Sequence, residues 1–351
     1  MTRWWTPVDG RFRCDLCPRE CTLSPGQRGF CFVRQATDDG IELTTYGRSS
    51  GFCVDPIEKK PLAHFLPGTP VLSFGTAGCN LGCRFCQNWD ISKARRDDRL
   101  QDTATPEAIA AEAERLGCRS VAYTYNDPVI FAEYAIDTAE ACRERGVRSV
   151  AVTAGYIRPP ARDAFFGAMD AANIDLKAFT DGFYEKLCFA RLPEVLETIA
   201  YAVNETSCWV ELTTLLIPGA NDSEAEIDRM TAWIADTLGP DVPLHLTAFH
   251  PDFKLDDRGR TPLDTLLRSW RIAKANGLHH VYTGNVRHPA TAATRCASCG
   301  EEVIGRDGYV VTRWNLAGGA CGACGAPLAG VFEDRPGSWG SRRLPVRIPA
   351  L

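Results

Sequence analysis

Three cysteines at C-x3-C-x2-C spacing, Cys79, Cys83 and Cys86 in the run GTAGCNLGCRFCQNWDISK, constrain this chain more than any other feature. Thiols set this closely in a loop all reach one compact inorganic centre, and Gly75, Gly78 and Gly82 let backbone come close to it. A cubane of four irons held by three cysteines keeps one iron open to a small chelating ligand. The competing reading is a structural zinc site completed by a fourth ligand. Candidates for that ligand are poor nearby: no histidine lies between His64 and His245, and Cys118 sits in an apolar segment.

Most of the 16 cysteines fall in similarly tight groups, which signals metal rather than disulfides and fits a reducing compartment. Cys14, Cys17, Cys21 and Cys31 occupy CDLCPRECTLSPGQRGFC, where Pro18, Pro25, Gly26 and Gly29 mark a loop. Four thiols make a coordinatively closed site, and both zinc and a second iron-sulfur cluster accept it. Cys296, Cys299, Cys321 and Cys324 form the knuckles CASCG and CGACG of a zinc-ribbon-like module, with a rubredoxin-like iron as the alternative. No apolar stretch approaches a membrane span and MTRWWTPVDGRF lacks a signal-peptide core, so the expected location is the cytoplasm. The net charge of −5 counts against nucleic acid as a partner, and runs such as Lys93, Arg95, Arg96 or Arg342, Arg343 read as solvated surface.

From Pro70 onward short apolar runs alternate with helical stretches. Strands are expected at 71–74, 120–125, 147–153, 172–177, 208–216, 243–249 and 279–284, with helices between them. Six or seven such units imply a parallel sheet curling into a partial (β/α)6-type TIM barrel, an α/β fold. The domain plan is a four-cysteine module at 1–50, the barrel at 51–290, a zinc-ribbon-like module at 291–335 and a tail at 336–351. The stretch DPIEKKPLAHFLPG reads as an ordered connection without evident chemistry.

Several expected strands carry polar residues two apart: Asp175 and Lys177, Glu211 and Thr213, His245 and Thr247, Tyr123 and Tyr125. Period-two geometry puts each pair on one face of its strand. Four such faces converging toward the C-terminal strand ends read as a barrel mouth for a charged ligand.

These pieces together resemble the radical SAM superfamily, and within it the enzymes of the AmmeMemoRadiSam system, relatives of pyruvate formate-lyase activating enzymes. The resemblance spans roughly Cys14 to Gly330 and rests on CDLCPREC, DPIEKKPL, GCNLGCRFCQNW, YTYNDP, IDLKAF, ELTTLLIPGAND, HLTAFHPD and VYTGN. It implies a [4Fe-4S] cluster on Cys79, Cys83 and Cys86, with Phe85 part of the signature. S-adenosylmethionine chelates the open iron through its amino and carboxylate groups and is cleaved by one electron to a 5′-deoxyadenosyl radical. The resemblance places Asn126 and Asp127 at its amino group, Asp175, Lys177 and His250 at its carboxylate or ribose, and Thr153 and Gly155 in the TAGY loop beside it. Two departures stand out: Ala154 where relatives often carry asparagine, and Asp127 where glutamate is common. An electron donor of flavodoxin or ferredoxin type is implied. The substrate is unidentified and includes a partner protein among its candidates; the cysteine-rich modules point away from a dedicated pyruvate formate-lyase activase. A glycyl-radical-enzyme activase and a metal-stabilised RNA- or protein-binding module are the alternatives.

Overall fold

A nine-stranded sheet carries the fold in this computed structural model, which describes residues 3–94, 100 and 102–348. Arg95 and Arg96, expected as surface, lie outside the described residues. The strands are β1 (Phe52–Pro56), β2 (Pro70–Phe74), β3 (Ser120–Tyr123), β4 (Arg148–Thr153), β5 (Ala171–Asp175), β6 (Trp209–Leu216), β7 (Leu244–Ala248), β8 (Val281–Gly284) and β9 (Leu344–Val346). They lie in the order β8-β7-β6-β5-β4-β3-β2-β1-β9. β2 to β8 run parallel, whereas β1 pairs antiparallel with β2 and β9 antiparallel with β1. β8 and β9 end the sheet without pairing to each other, so the barrel is partial.

Helices α1 (Pro106–Arg115), α2 (Ala132–Glu144), α3 (Pro159–Ala168), α4 (Leu192–Asn204), α5 (Glu224–Leu238) and α6 (Leu263–Ala275) make the six crossovers. Their starts follow local chemistry. Thr105 accepts from Ala108 N ahead of Pro106, and Ser223 accepts from Glu226 N, each satisfying a donor the first turn leaves free. Among the described residues, no helix is long and apolar enough to cross a membrane.

The N-terminal end of the barrel interior is plugged. Ile57, Leu62, Phe65 and Leu66, from the connection between β1 and β2, pack with Val71, Ala122, Val150 and Ala171 of the strands. Phe65 is fully buried, and burying a side chain of that size contributes on the order of 2–3 kcal/mol. A connection that reads as charged thus spends its apolar residues on the barrel.

Both cysteine-rich ends pack on this barrel. Leu16, Val33 and Ile41 of the first 50 residues belong to the same core as the strands and helices. Near the other terminus, a hairpin of Glu302–Asp307 and Val310–Trp314 has its own small core of Val303, Ile304 and Leu316. Arg306 fastens it to the plug by donating to Ala63 O at 2.6 Å, and Val331 N donates to His64 O at 2.7 Å.

Candidate functional site: a cysteine loop at the barrel mouth

β2 ends at Phe74 and the chain turns into the cysteine loop against the end of β3. At Gly75 a Cβ would stand 2.4 Å from Thr124 O and 2.6 Å from Asn126 Oδ1, so only glycine fits. The buried Asn126 then clamps the loop. Its Oδ1 accepts from Thr76 N at 2.9 Å, and its Nδ2 donates to Gly78 O at 2.9 Å and lies 3.2 Å from Thr76 Oγ1 and 3.3 Å from Ala77 O. Further along, Asn80 Nδ2 donates to Tyr156 O and Lys93 Nζ to Leu81 O, both at 2.8 Å. Gly82 N and Arg84 N donate to Cys188 O and Leu187 O at 2.8 and 2.9 Å. The loop is therefore positioned by backbone bonds on every side, with Cys83 buried and Cys79 and Cys86 half-buried.

The donor set fits a cluster held by three thiolates. Cys188, which the sequence did not single out, is buried near Cys83, close enough for each thiol to act on the other. Cys188 first, then Lys177, pulls the Cys83 thiol down to about 7 against the opposing effect of burial, while burial first and then Cys83 push Cys188 well up. A protonated Cys188 thiol is therefore available beside the Cys83 sulfur. Nothing in the sequence but its being a further cysteine could have flagged it.

The residues expected around a bound cofactor divide into those held elsewhere and those at the loop. Asp127 is buried; its Oδ1 accepts from Val129 N and Thr153 Oγ1 at 3.0 and 2.9 Å, and its Oδ2 from Ala154 N at 2.9 Å. Burial pushes its carboxyl up despite these donors. Ala154 meets Asp127 through backbone, which needs no polar side chain. Gly155 follows at φ 66°, a left-handed conformation that favours glycine. Asp175 Oδ2 and Lys177 Nζ form an ion pair at 2.8 Å, close enough to Cys83 for Lys177 to act on its thiol. His250 is exposed beside Gln87, whose Nε2 lies 3.2 Å from its Nδ1, one residue after Cys86. Phe85 turns inward against Phe183, ring centroids 5.7 Å apart.

The expected pairing of Tyr123 and Tyr125 on one face does not hold. β3 ends at Tyr123, whose ring packs on Phe74 and whose hydroxyl meets Ser149 Oγ at 3.1 Å in the core. Tyr125 sits beyond the strand at φ 69°, which breaks the alternation and sends its hydroxyl to Asp55 Oδ2 at 2.9 Å. Asp55 also takes Lys59 and Lys60, each at 2.8 Å; burial alone would raise its carboxyl, but the two lysines hold it at about 2.

Glu211, read as part of a ligand-binding face, is consumed by the protein. It accepts from Ala63 N, His64 N and Trp209 Nε1 at 2.8, 2.7 and 3.1 Å, and meets His245 Nε2 at 2.7 Å. It ties the plug to the sheet. His64 continues the network to Tyr282 OH at 2.6 Å and Ala329 O at 2.7 Å. His245 and Thr247 do face open space: a cleft of about 630 Å³ between the last strands, the plug and the C-terminal hairpin, lined also by Glu58, Lys59, Arg287 and Tyr309. Burial pushes the Glu58 carboxyl to about 7. The density of charge in DPIEKKPL was the one sequence signal for this wall.

Of the three cysteine groups, only the C-terminal one closes around a single point. Cys296, Cys299, Cys321 and Cys324 bring their sulfurs within 4.8 Å of one another, the sole such group among the described residues. The pairs Cys296–Cys324 and Cys299–Cys321 stand 3.7 and 3.8 Å apart.

Residues 74–231 match the profile of the Radical SAM superfamily. A protein of Methanocaldococcus jannaschii, the uncharacterized protein MJ0808, is 40% identical over 298 residues, covering 85% of this chain and 88% of the relative. The pyruvate formate-lyase 1-activating enzyme of Escherichia coli K12 is 22% identical over 190 residues, 52% of this chain and 75% of that enzyme. Among solved structures, a radical SAM methyltransferase from Sphaerobacter thermophilus superposes with TM-score 0.50 at 20% identity, covering 67% of this chain and 71% of that one.

Proposed function

This chain belongs to the radical SAM superfamily, and from that premise we propose that it abstracts hydrogen from a substrate held in the cleft between its partial barrel and its C-terminal hairpin. A [4Fe-4S] cluster with S-adenosylmethionine bound here would supply one-electron radical chemistry. Cys79, Cys83 and Cys86 would hold the cluster, and the Asn126 clamp fixes their loop at the end of β2. Asp175 and Lys177 present paired charges at the same end, suited to an amino-acid zwitterion. Thr153, Gly155 and His250 complete the cofactor's surroundings. Asn126 and Asp127 contribute mainly by position, because their side-chain atoms already serve backbone.

The observation that carries the substrate reading is the cleft of about 630 Å³, a size suited to a small molecule or one side chain of a peptide. Residues of the plug and of the hairpin line this cleft beside the ends of β7 and β8. Lys59 links this cleft to the cysteine loop through Asp55 and Tyr125, the residue before Asn126. The C-terminal thiols, at single-ion spacing, hold zinc and brace the cleft wall. An electron carrier of flavodoxin or ferredoxin class feeds the reaction.

The test is anaerobic reconstitution followed by reduction. Dithionite-dependent release of 5′-deoxyadenosine, abolished by Cys83→Ala, is expected; an intact cluster that never cleaves the cofactor defeats the reading. The Escherichia coli relative favours a second reading, activation of a glycyl-radical enzyme. A stoichiometric glycyl-radical EPR doublet on such an enzyme from the same cell would establish that reading instead.

A further inference from the structure

Cys14, Cys17, Cys21 and Cys31 line one small enclosed cavity together with Arg34 and Asn80. They converge on a common space, yet no three of their sulfurs come within 4.8 Å of one another, since the C-terminal group alone does so among the described residues. The contrast is chemical. Around one zinc with Zn–S near 2.3 Å, tetrahedral sulfurs stand about 3.8 Å apart. The C-terminal pairs at 3.7 and 3.8 Å match that spacing. In a cubane each thiolate binds a different iron, so the four sulfurs stand farther apart around a common centre. The N-terminal set lines a common cavity without the tight single-ion grouping of the C-terminal set.

The N-terminal set also adjoins the Cys79 loop. Gly78, the residue before Cys79, lies so close to Cys31 that a Cβ there would stand 2.0 Å from Cys31 O. Asn80, the residue after Cys79, lines the N-terminal cavity, and its carbonyl accepts from Arg19 Nε. Cys79 is thus flanked on both sides by residues in contact with the other site.

We propose that Cys14, Cys17, Cys21 and Cys31 hold a second [4Fe-4S] cluster that exchanges single electrons with the cluster at Cys79, Cys83 and Cys86. Four cysteines leave no iron open, so the site binds no substrate, and electron transfer is the chemistry that remains to it. Cys17 and Cys21 are half-buried, whereas Cys14 and Cys31 are buried, which gives the cluster an outer and an inner side. One electron arrives from a low-potential carrier of the iron-sulfur or flavin class and one leaves for the neighbouring cluster, with no bond or proton changing hands. The metal assignment stands on the N-terminal sulfurs alone; the electron role rests on the radical reading proposed above.

Metal analysis and ⁵⁷Fe Mössbauer spectroscopy of the full chain after anaerobic reconstitution test the assignment. The wild type should hold about eight irons, and the Cys79/Cys83/Cys86→Ala variant about four, with the spectrum of one cubane. Zinc in place of that iron, a mononuclear tetrathiolate iron, or no metal at the N-terminal site would each overturn it. If the variant fails to fold, the wild-type count still decides, since about four irons in all sinks the proposal. EPR of the dithionite-reduced wild type tests the electron role. Neighbouring reduced clusters should split or broaden each other's signals, and a plain superposition of two sharp signals overturns the exchange while leaving the metal assignment to the iron count.

Discussion

Replacing Asn126 with alanine should loosen the cysteine loop without touching any thiol. The buried amide supplies the acceptor for Thr76 N at 2.9 Å and the donor for Gly78 O at 2.9 Å. An unsatisfied buried backbone group costs about 1–3 kcal/mol, and the smaller side chain admits enough water to recover part of that. A net loss of about 2–4 kcal/mol in the free energy of opening the loop is therefore expected. At about 1.4 kcal/mol per tenfold, iron loss to a chelator that requires this opening should accelerate roughly 30- to 700-fold. The assay is the anaerobic decay of cluster absorbance in excess chelator, alongside the affinity for S-adenosylmethionine. Asn126→Asp should also fail, because a carboxylate keeps the acceptor for Thr76 N but sets negative charge against two carbonyl oxygens. If Asn126→Ala retained iron at the wild-type rate and lost only cofactor affinity, the amide would be a cofactor contact and the clamp argument would be wrong.

Three further outcomes are expected. Arg34→Met leaves Glu133 buried without the guanidinium that now binds both its oxygens, and should lower stability by about 3–5 kcal/mol by urea unfolding; Arg34→Met/Glu133→Leu should recover most of it, and no recovery would contradict the account. Glu58, pushed to about 7 by burial, binds a proton in the folded state that the unfolded chain has released above about pH 4.5, so stability is full below that pH and falls as pH rises to about 7. The fall should be about 3 kcal/mol, and Glu58→Gln should flatten it; equal urea midpoints at pH 5 and pH 7.5 in the wild type would refute the assignment. Cys188→Ala removes the thiol beside the Cys83 sulfur and should make the reduction potential of a cluster held there more negative by spectroelectrochemical titration, an unchanged potential showing that the thiol is only packing.

The parallel barrel was legible because each helix and strand carries its own signal: Thr105 with Pro106 opens α1, and apolar runs announce β4, β6 and β7. Where the reading slipped, a local backbone choice had intervened. The alternation through Tyr123 and Tyr125 fails at one left-handed residue, and no pattern of side chains announces that.

Spacing along the chain was enough to group the thiols, because Cys79, Cys83 and Cys86, or Cys296 with Cys299, are joined by so few bonds that one metal centre is within reach of each group. Tertiary structure alone decided which polar groups remain free to act. Asn126 is spent on a loop 48 to 50 residues away, Glu211 on backbone 147 and 148 residues away, and His64 on a carbonyl 265 residues away. It also decided that Cys296, Cys299, Cys321 and Cys324 bring their sulfurs within 4.8 Å of one another. A side chain's chemistry is written in its residue type, but its availability depends on whether burial brings it a partner, and those partners come from segments that no local pattern relates.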